Sequence, residues 1–165
     1  MSRRICISGE IGAGKTTIAD YLVTLGFTEL SFAAKLKEVA SIILGVPLEY
    51  LDGRQYREER ESAIIEPWNL TGRQALIAIG EMFRDNFNPD TWIIALGNLP
   101  DGDVVISDVR KDNEKKYTHE HGFVHIYVTK TELLHKSEYD FVIVNDSTKE
   151  DLYRKVDNFL DTFIS

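Results

Sequence analysis

The chain has 165 residues and a net charge of −8 at pH 7, with 43% hydrophobic and 28% charged residues. This length and balance predict one globular domain over residues 1–165, and the acidic excess argues against a nucleic-acid polymer as the main partner, because proteins that bind one usually carry a basic face. The single cysteine, Cys6, excludes an intramolecular disulfide and a multi-cysteine metal site.

The first predicted elements surround a glycine-rich loop. Residues 4–8 are predicted to form a short apolar strand, and residues 17–25 carry apolar residues at helical spacing. Between them, residues 9–16 read Gly-Glu-Ile-Gly-Ala-Gly-Lys-Thr and match the pattern GxxxxGK[ST]. Such a loop turns backbone N–H groups toward an anion, and the start of the helix adds the positive end of its dipole. The alternative is a glycine-rich turn that only connects strand to helix.

A phosphate loop of this kind predicts ATP and Mg²⁺ as cofactors. Lys15 would reach the β- and γ-phosphates, and the Thr16 hydroxyl would ligate Mg²⁺. The residues predicted to bind the nucleotide here are Gly12, Ala13, Gly14, Lys15, Thr16 and Thr17.

The next stretch changes character at residue 48. Gly26 is predicted to cap the first helix, and a strand over 27–32 and a helix over 33–44 follow. Residues 48–70 are dense in charge and show little apolar periodicity, which leaves open a mobile flap over a site or a solvated loop with a helical turn. Trp68, beside this stretch, is a candidate for stacking on a base, although tryptophan is more often a core residue.

Two helices are predicted between residues 71 and 96. Thr71 and Gln74 have the spacing of a capping box at the start of the first. Asn88 is predicted to cap the second, with Pro89 at its first helical position. Trp92 would anchor that second helix in the core.

The second half alternates strand and helix again. Strands are predicted over 103–108, 122–128 and 141–144, and helices over 111–120 and from the Ser147–Glu150 capping box to about 163. Asp108, at the end of an apolar strand, is a candidate Mg²⁺ ligand, or else the cap of the next helix. Arg110 would lie over the phosphates, or pair with Glu114.

The order of elements predicts an α/β fold of the P-loop kinase type, with an open, mostly parallel five-stranded sheet and helices on both faces. Ligands of such sheets bind beyond the carboxyl ends of the strands. That edge would carry residues 9–16, residues 108–110 and Asn145.

Arginines and lysines near the ends of elements favour a small phosphorylated acceptor, since transfer between two polyanions needs cations. No guanine-reading NKxD follows a strand, which weakens the GTPase interpretation. Arg73 and Arg84 lie on one helix face but about 16 Å apart along the axis, so Arg73, at the helix start, is the better candidate for the acceptor. For any one of these arginines the alternative is a surface salt bridge.

Five ordered blocks behind the loop resemble the bacteriophage-type deoxynucleoside monophosphate kinases. They are Ser-Phe-Ala-Ala-Lys-Leu-Lys (31–37), Thr-Gly-Arg-Gln-Ala-Leu (71–76) with Ile-Gly-Glu-Met-Phe-Arg (79–84), Asn-Pro-Asp-Thr-Trp (88–92), Ile-Ser-Asp-Val-Arg (106–110) with Asn-Glu (113–114), and Val-Ile-Val-Asn-Asp-Ser (142–147). The chain departs from that family's pattern at Lys35, Glu81, Lys111 and Ser147.

The resemblance implies transfer of the ATP γ-phosphate to a deoxynucleoside monophosphate. It implies that Asn145 borders the adenine, that residues 110–121 form a lid, and that Lys37, Arg73, Arg84 and Trp92 bind the acceptor. The flap considered for residues 48–70 would then be a mobile segment on the acceptor side. Dephospho-coenzyme A and phosphomevalonate kinases share parts of these blocks, so another phosphorylated acceptor stays open, as does a non-kinase nucleotide switch. Relatives of this type are often homodimers.

No apolar run is long enough to span a bilayer, and the start of the chain does not resemble a signal peptide. We therefore expect no membrane partner and a cytoplasmic location, the host cytoplasm if the protein is encoded by a phage.

Overall fold

The computed structural model describes residues 2–131 and 138–163, the last of them by its backbone alone. The chain forms two compact units. The first contains the chain up to Ser31 and from Asn98 onward, and the second is Phe32–Gly97. The expectation of one domain over the whole chain stays a prediction, and each unit is described by itself.

The helices and strands follow one another along the chain in this order: β1 (Arg4–Gly9), α1 (Lys15–Thr24), β2 (Thr28–Leu30), α2 (Ala34–Leu44), α3 (Leu48–Asp52), α4 (Arg57–Ser62), β3 (Ile64–Ile65), β4 (Leu70–Thr71), α5 (Gly72–Asn86), α6 (Thr91–Leu96), β5 (Val104–Ile106), α7 (Asp112–Glu120), β6 (Val124–Thr129), β7 (Phe141–Val144) and α8 (Lys149–Phe163).

The first unit is built on a five-stranded sheet in the order β2-β5-β1-β6-β7. All four strand pairs are parallel, and Ile5 of the central strand β1 lies opposite Val105 on one side and Val124 on the other. The α/β fold with an open five-stranded sheet is therefore confirmed, and the sheet is wholly parallel where mostly parallel was predicted.

Side chains alternate between the two faces of this sheet, as strand geometry requires. Ile5 and Ile7 of β1 belong to a buried cluster that includes Ile18 of α1 and Phe159 of α8. Cys6 points to the opposite face, where it hydrogen-bonds to Thr118 of α7. Helices therefore cover both faces, as predicted, and burial raises the pKa of the Cys6 thiol to about 12.

The second unit contains helices α2 to α6 and a small antiparallel hairpin of β3 and β4. Its core includes Ala40, Leu51, Ile65 and Ala75. Leu51 and Ile65 belong to the charged stretch 48–70, which folds into two short helices and the hairpin. The interpretation of this stretch as a solvated loop with a helical turn is therefore wrong, because α3 and β3 bury Leu51 and Ile65 in the core, although α4 buries no residue.

Two of the predicted helix ends are confirmed. Gly26 follows α1 with a φ of +95°, and the N–H of the next residue, Phe27, donates to the carbonyl of Leu22. Thr71 and Gln74 form the predicted capping box at the start of α5, each side chain accepting the backbone N–H of the other.

Two other predicted helix starts are wrong, one by two residues and one by a single residue. Helix α6 begins at Thr91, because the Asn88 side chain accepts the N–H of Asp90 in a local turn and does not cap the helix. At α8 the capping oxygen belongs to Thr148, which accepts the N–H of Asp151 at 3.2 Å. Within the described residues, no helix has the length and apolar character needed to cross a membrane.

Candidate phosphate-binding site

The glycine-rich loop lies between the central strand β1 and helix α1, at the carboxyl edge of the sheet. Gly9 has a φ of +149°, and a Cβ there would lie 2.2 Å from the carbonyl oxygen of Val128 in β6. Gly14 has a φ of +108° and stands at the N-cap position of α1. The predicted strand, loop and helix are thus all present, and glycine is required at both ends of the loop.

The start of α1 offers backbone N–H groups to an anion. Among the described residues, no side chain caps this helix end, and its first turn carries no acidic residue. Such an end has unsatisfied N–H groups and the positive end of the helix dipole. The Thr16 side chain, in this first turn, is exposed.

Lys15 is held beside the loop by two carbonyl groups. Its Nζ donates to the carbonyl oxygen of Gly9 at 2.8 Å and to that of Glu10 at 2.6 Å. The side chain therefore folds back over the loop, and its ammonium group is kept where the loop turns. The predicted contact of Lys15 with the β- and γ-phosphates stays a prediction.

Asn145 supports the loop from the last strand. It follows β7, and its Nδ2 donates to the carbonyl oxygen of Ala13 at 2.8 Å. The same Nδ2 would lie only 2.6 Å from a Cβ at Gly14. Asn145 is thus in contact with the loop backbone, while its predicted contact with adenine stays a prediction.

The segment that carries Asn145 is fixed by Lys155 of α8, a residue that the sequence interpretation missed. Its Nζ donates to the carbonyl oxygen of Val144 and to a carboxylate oxygen of Asp146, at 2.8 and 2.9 Å. It also pairs with Asp151 at 2.8 Å. Lys155 lies eleven positions after Val144, so no short-range sequence pattern predicts this contact.

Asp108 lies just beyond the end of β5, next to β2 in the sheet. Its Oδ2 accepts a hydrogen bond of 2.8 Å from the Ser31 hydroxyl. The alternative interpretation of Asp108 as a helix cap is wrong, because α7 begins at Asp112 with Lys111 at the N-cap position. The carboxylate therefore stays a candidate metal ligand with a fixed orientation.

Arg110 is exposed, two residues beyond Asp108. The buried carboxylate of Glu114 accepts the backbone N–H groups of Arg110 and Lys111, at 2.8 and 3.0 Å. Helix α7 is fixed to the sheet by Thr118, whose hydroxyl lies 3.0 Å from the Nε2 of His125. The lid expected over residues 110–121 stays a prediction.

The predicted acceptor residues lie in the second unit, and two of them are paired with carboxylates. Lys37 Nζ donates to Asp52 Oδ1 at 2.8 Å. Burial works to raise the pKa of Asp52, but the hydrogen bond and charge of Lys37, with the charges of Arg54 and Arg60, hold this pKa below its ordinary value. Lys37 is therefore held by a carboxylate that stays ionised.

Arg73 is paired in the same way with Glu61. Its Nη1 lies 2.9 Å from Glu61 Oε2, and the other carboxylate oxygen of Glu61 lies 2.8 Å from Arg60 Nη2. Burial works to raise the pKa of Glu61, but hydrogen bonds from Arg60 and Arg73 bring this pKa below its ordinary value. The sequence interpretation named Arg73 and missed both of its neighbours in this chain of charges.

The remaining predicted acceptor residues differ in exposure. Arg84 Nη1 donates to Glu81 at 3.2 Å. Trp92 is only 4% exposed, and its indole N–H donates to the carbonyl oxygen of Gly80, so it anchors α6 in the core as predicted. Trp68 is 46% exposed in the turn of the β3–β4 hairpin. Binding of the acceptor by these side chains stays a prediction.

The fold and this loop define the class of protein. A parallel five-stranded sheet, with a glycine-rich loop after its central strand and helices on both faces, is an open α/β fold of the kind that binds ligands beyond the carboxyl ends of its strands.

Comparison with known proteins narrows the class. A protein of Acanthamoeba polyphaga mimivirus named "Putative deoxynucleotide monophosphate kinase" is 31% identical to this chain, with 95% of each chain covered. The chain belongs to this family of viral-type deoxynucleotide monophosphate kinases. No model of a protein family matches it. The crystal structure of TT1252 from Thermus thermophilus covers 98% of both chains at a TM-score of 0.48 and 18% identity, and we draw nothing from that likeness.

Proposed function

We propose that this protein transfers the γ-phosphate of ATP to a deoxynucleoside 5′-monophosphate and releases a deoxynucleoside diphosphate and ADP. The observation that carries the proposal is the loop between β1 and α1, whose glycines and uncapped helix start suit a triphosphate. The printed name of the mimivirus relative supports the same reaction.

The donor nucleotide is assigned to the first unit. In this proposal the backbone from Gly12 to Thr17 surrounds the phosphates, and Lys15 contacts the β- and γ-phosphates. The carbonyl contacts of Lys15 support this role, since they hold its ammonium group beside the loop. Asn145 keeps the loop backbone in place through Ala13.

The residues at the loop also fit a magnesium ion. Mg²⁺ prefers oxygen ligands and is bound in kinases through one or two side chains together with phosphate oxygens. The Thr16 hydroxyl and the Asp108 carboxylate supply such oxygens, and the Ser31 hydroxyl orients the carboxylate. When bound, Mg²⁺ neutralises charge on the β- and γ-phosphates.

The acceptor is assigned to Lys37, Arg73 and Arg84. A phosphate monoester is largely dianionic at neutral pH, because its second pKa is about 6, so no general base is required. A phosphate oxygen of the acceptor attacks the γ-phosphorus, the bond to the oxygen that bridges to the β-phosphate breaks, and ADP leaves with that electron pair. Arg110 would stabilise the charge on the transferring group.

The base of the acceptor is assigned to Trp68. Its exposed indole in the hairpin turn is accessible for stacking, whereas the buried Trp92 is already packed in the core. Stacking of a base on an aromatic side chain contributes about 1–3 kcal/mol.

An ADP-release assay over a panel of acceptors tests the proposal. We expect at least one of dAMP, dCMP, dGMP and dTMP to stimulate ADP release, and a Lys15→Ala variant to remove the stimulation. Each deoxynucleotide is compared with its ribonucleotide, and dephospho-coenzyme A and phosphomevalonate complete the panel. Stimulation only by these last two would assign a different acceptor, and slow hydrolysis of ATP that no acceptor changes would reject a kinase.

A further inference from the structure

The guanidinium group of Arg73 can donate hydrogen bonds from two edges, and the described residues accept hydrogen bonds from only one of them. Its Nη1 donates to Glu61, but within residues 2–131 and 138–163 its Nε and Nη2 make no hydrogen bond or ion pair. The side chain is 42% exposed. The Nε and Nη2 atoms form a planar pair of donors that matches two oxygens of a phosphate.

Glu61 connects this arginine to a second one. Its Oε1 accepts from Arg60 Nη2 at 2.8 Å, and its Oε2 accepts from Arg73 Nη1 at 2.9 Å. Glu61 lies in the last turn of α4, and Arg73 lies in the first turn of α5. The carboxylate thus holds together two elements that are separated along the chain by the hairpin.

Arg60 is itself held in a narrow slot between two glycines. A Cβ at Gly53 would lie 2.2 Å from Arg60 Nη1, and a Cβ at Gly72 would lie 3.0 Å from Arg60 Cγ. Nη1 also lies within 3.4 Å of the carbonyl oxygen of Leu51. In this conformation Gly53 leaves room for the guanidinium group of Arg60, and Gly72 leaves room for its stem.

The slot has an energetic cost. Among the described residues, the Nε of Arg60 is buried with no hydrogen-bond partner, and such an atom loses its hydration without compensation. An ion pair with Glu61 could form at the surface without burying the Nε of Arg60. The cost is understandable if Arg60 serves to fix the position of Glu61.

We propose that Glu61, fixed by Arg60, is a positioning residue that holds Arg73 with its Nε and Nη2 edge open for the phosphate of the acceptor. This inference rests on the proposed function. Because Glu61 fixes one nitrogen of Arg73, this side chain loses rotamer freedom before the acceptor binds. The entropy cost of binding the acceptor phosphate is therefore lower. The three charges sum to +1, so the group stays attractive to an anion.

A different role for Glu61, as a stand-in for the acceptor phosphate, predicts the opposite effect of its removal on acceptor binding. If Glu61 only occupied the place of the acceptor phosphate, its removal would strengthen acceptor binding. If it positions Arg73, its removal weakens acceptor binding and leaves ATP binding as it was.

A double-mutant cycle on the whole protein separates these outcomes. We expect Glu61→Gln to raise the KM of the acceptor, or its Kd measured by calorimetry without ATP, about 10-fold, which corresponds to one charged hydrogen bond. The KM of ATP should stay within about 2-fold, since the nucleotide is bound elsewhere. In an Arg73→Ala background, Glu61→Gln should have no further effect, because it acts through Arg73.

Two further variants guard against a trivial loss of folding. Glu61→Asp keeps the charge but shortens the side chain, so it should retain the fold, lose one of the two contacts and give a smaller effect. Glu38→Gln removes the same charge from an exposed pair with Lys35 in the same unit, and we expect it to leave the KM of the acceptor unchanged.

Each result has a distinct meaning. A wild-type protein that neither turns over nor binds any deoxynucleoside monophosphate would overturn the proposed function, and the inference with it. A wild-type protein that does so, while Glu61→Gln leaves the KM and Kd of the acceptor unchanged or lowers them, would overturn the inference alone. An equal effect of Glu61→Gln with and without Arg73 would also overturn it.

Discussion

Because Gly14 lies against Asn145, a substitution of Gly14 in the glycine-rich loop should lower the free energy of unfolding through two separate effects. In Gly14→Ala the new Cβ meets Asn145 Nδ2 at 2.6 Å, in a backbone with a φ of +108°. The backbone strain costs about 1–2 kcal/mol. Displacing Asn145 also removes its hydrogen bond to Ala13, which is worth about 0.5–1.5 kcal/mol. We therefore expect Gly14→Ala to lower the free energy of unfolding by about 2–3 kcal/mol.

Asn145→Ala separates the strain from the displacement. Alone it should cost about 1 kcal/mol, the value of the hydrogen bond. In the Asn145→Ala background, Gly14→Ala should lower the free energy of unfolding only through backbone strain. Its destabilising effect should therefore be smaller by about 1 kcal/mol. Gly12→Ala is the matched control, because Gly12 has a φ of +77° and nothing within 4 Å of a Cβ. Its cost should be the same with or without Asn145.

Urea denaturation without nucleotide measures these free energies, and calorimetry with ATP on the same three single and two double variants shows whether the loop still binds. The loss of ATP affinity should follow the same order, with Gly14→Ala the weakest of the single variants. Equal shrinkage of the two glycine effects in the Asn145→Ala background would refute the contact as their cause.

Three other changes test separate parts of the molecule. Lys15→Ala should lower turnover about 100-fold or more with the fold retained, and a rate near that of the wild type would contradict the placement of Lys15 on the phosphates. Trp92→Phe leaves the carbonyl of Gly80 without its donor and should cost about 1 kcal/mol of unfolding free energy; a rise in the acceptor KM without this loss would show that Trp92 contacts the base. Burial lowers the pKa of His125 below 6.5, although Asp140 opposes the shift, so the unfolded state binds the proton first and stability should fall as the pH drops below about 6.5. His125→Gln should flatten this dependence in pH-dependent urea melts, and an unchanged slope would contradict it.

The strand, glycine-rich loop and helix at residues 4–24 and the capping box of α5 could be predicted because each is set by neighbouring residues. Lys15 follows its strand by a few positions, and Thr71 and Gln74 are three residues apart, so the sequence contains the whole interaction. The start of α6 shows where local prediction fails. Asn88 has two local uses, a cap or a turn, and its side chain accepts the N–H of Asp90.

The contacts that hold the candidate site together could not be predicted in the same way. Glu61 reaches Arg73 across twelve positions, and Lys155 reaches Val144 across eleven. No period or spacing encodes such pairs. The short helices within residues 48–70 were also not predicted from the sequence. Helix α3 buries only Leu51, and a single buried residue produces no helical period in the sequence.

The single cysteine has a practical consequence. The Cys6 thiol is 1% exposed and ionises only near pH 12, and because thiolates are the reactive form, alkylating dyes will react with it very slowly in the native protein. A new cysteine at Ile11, which is 71% exposed in the phosphate loop, would therefore be the group that a maleimide fluorophore labels. The natural chain thus needs no cysteine removal before a fluorophore at this loop can be used to test the proposed binding of ATP there.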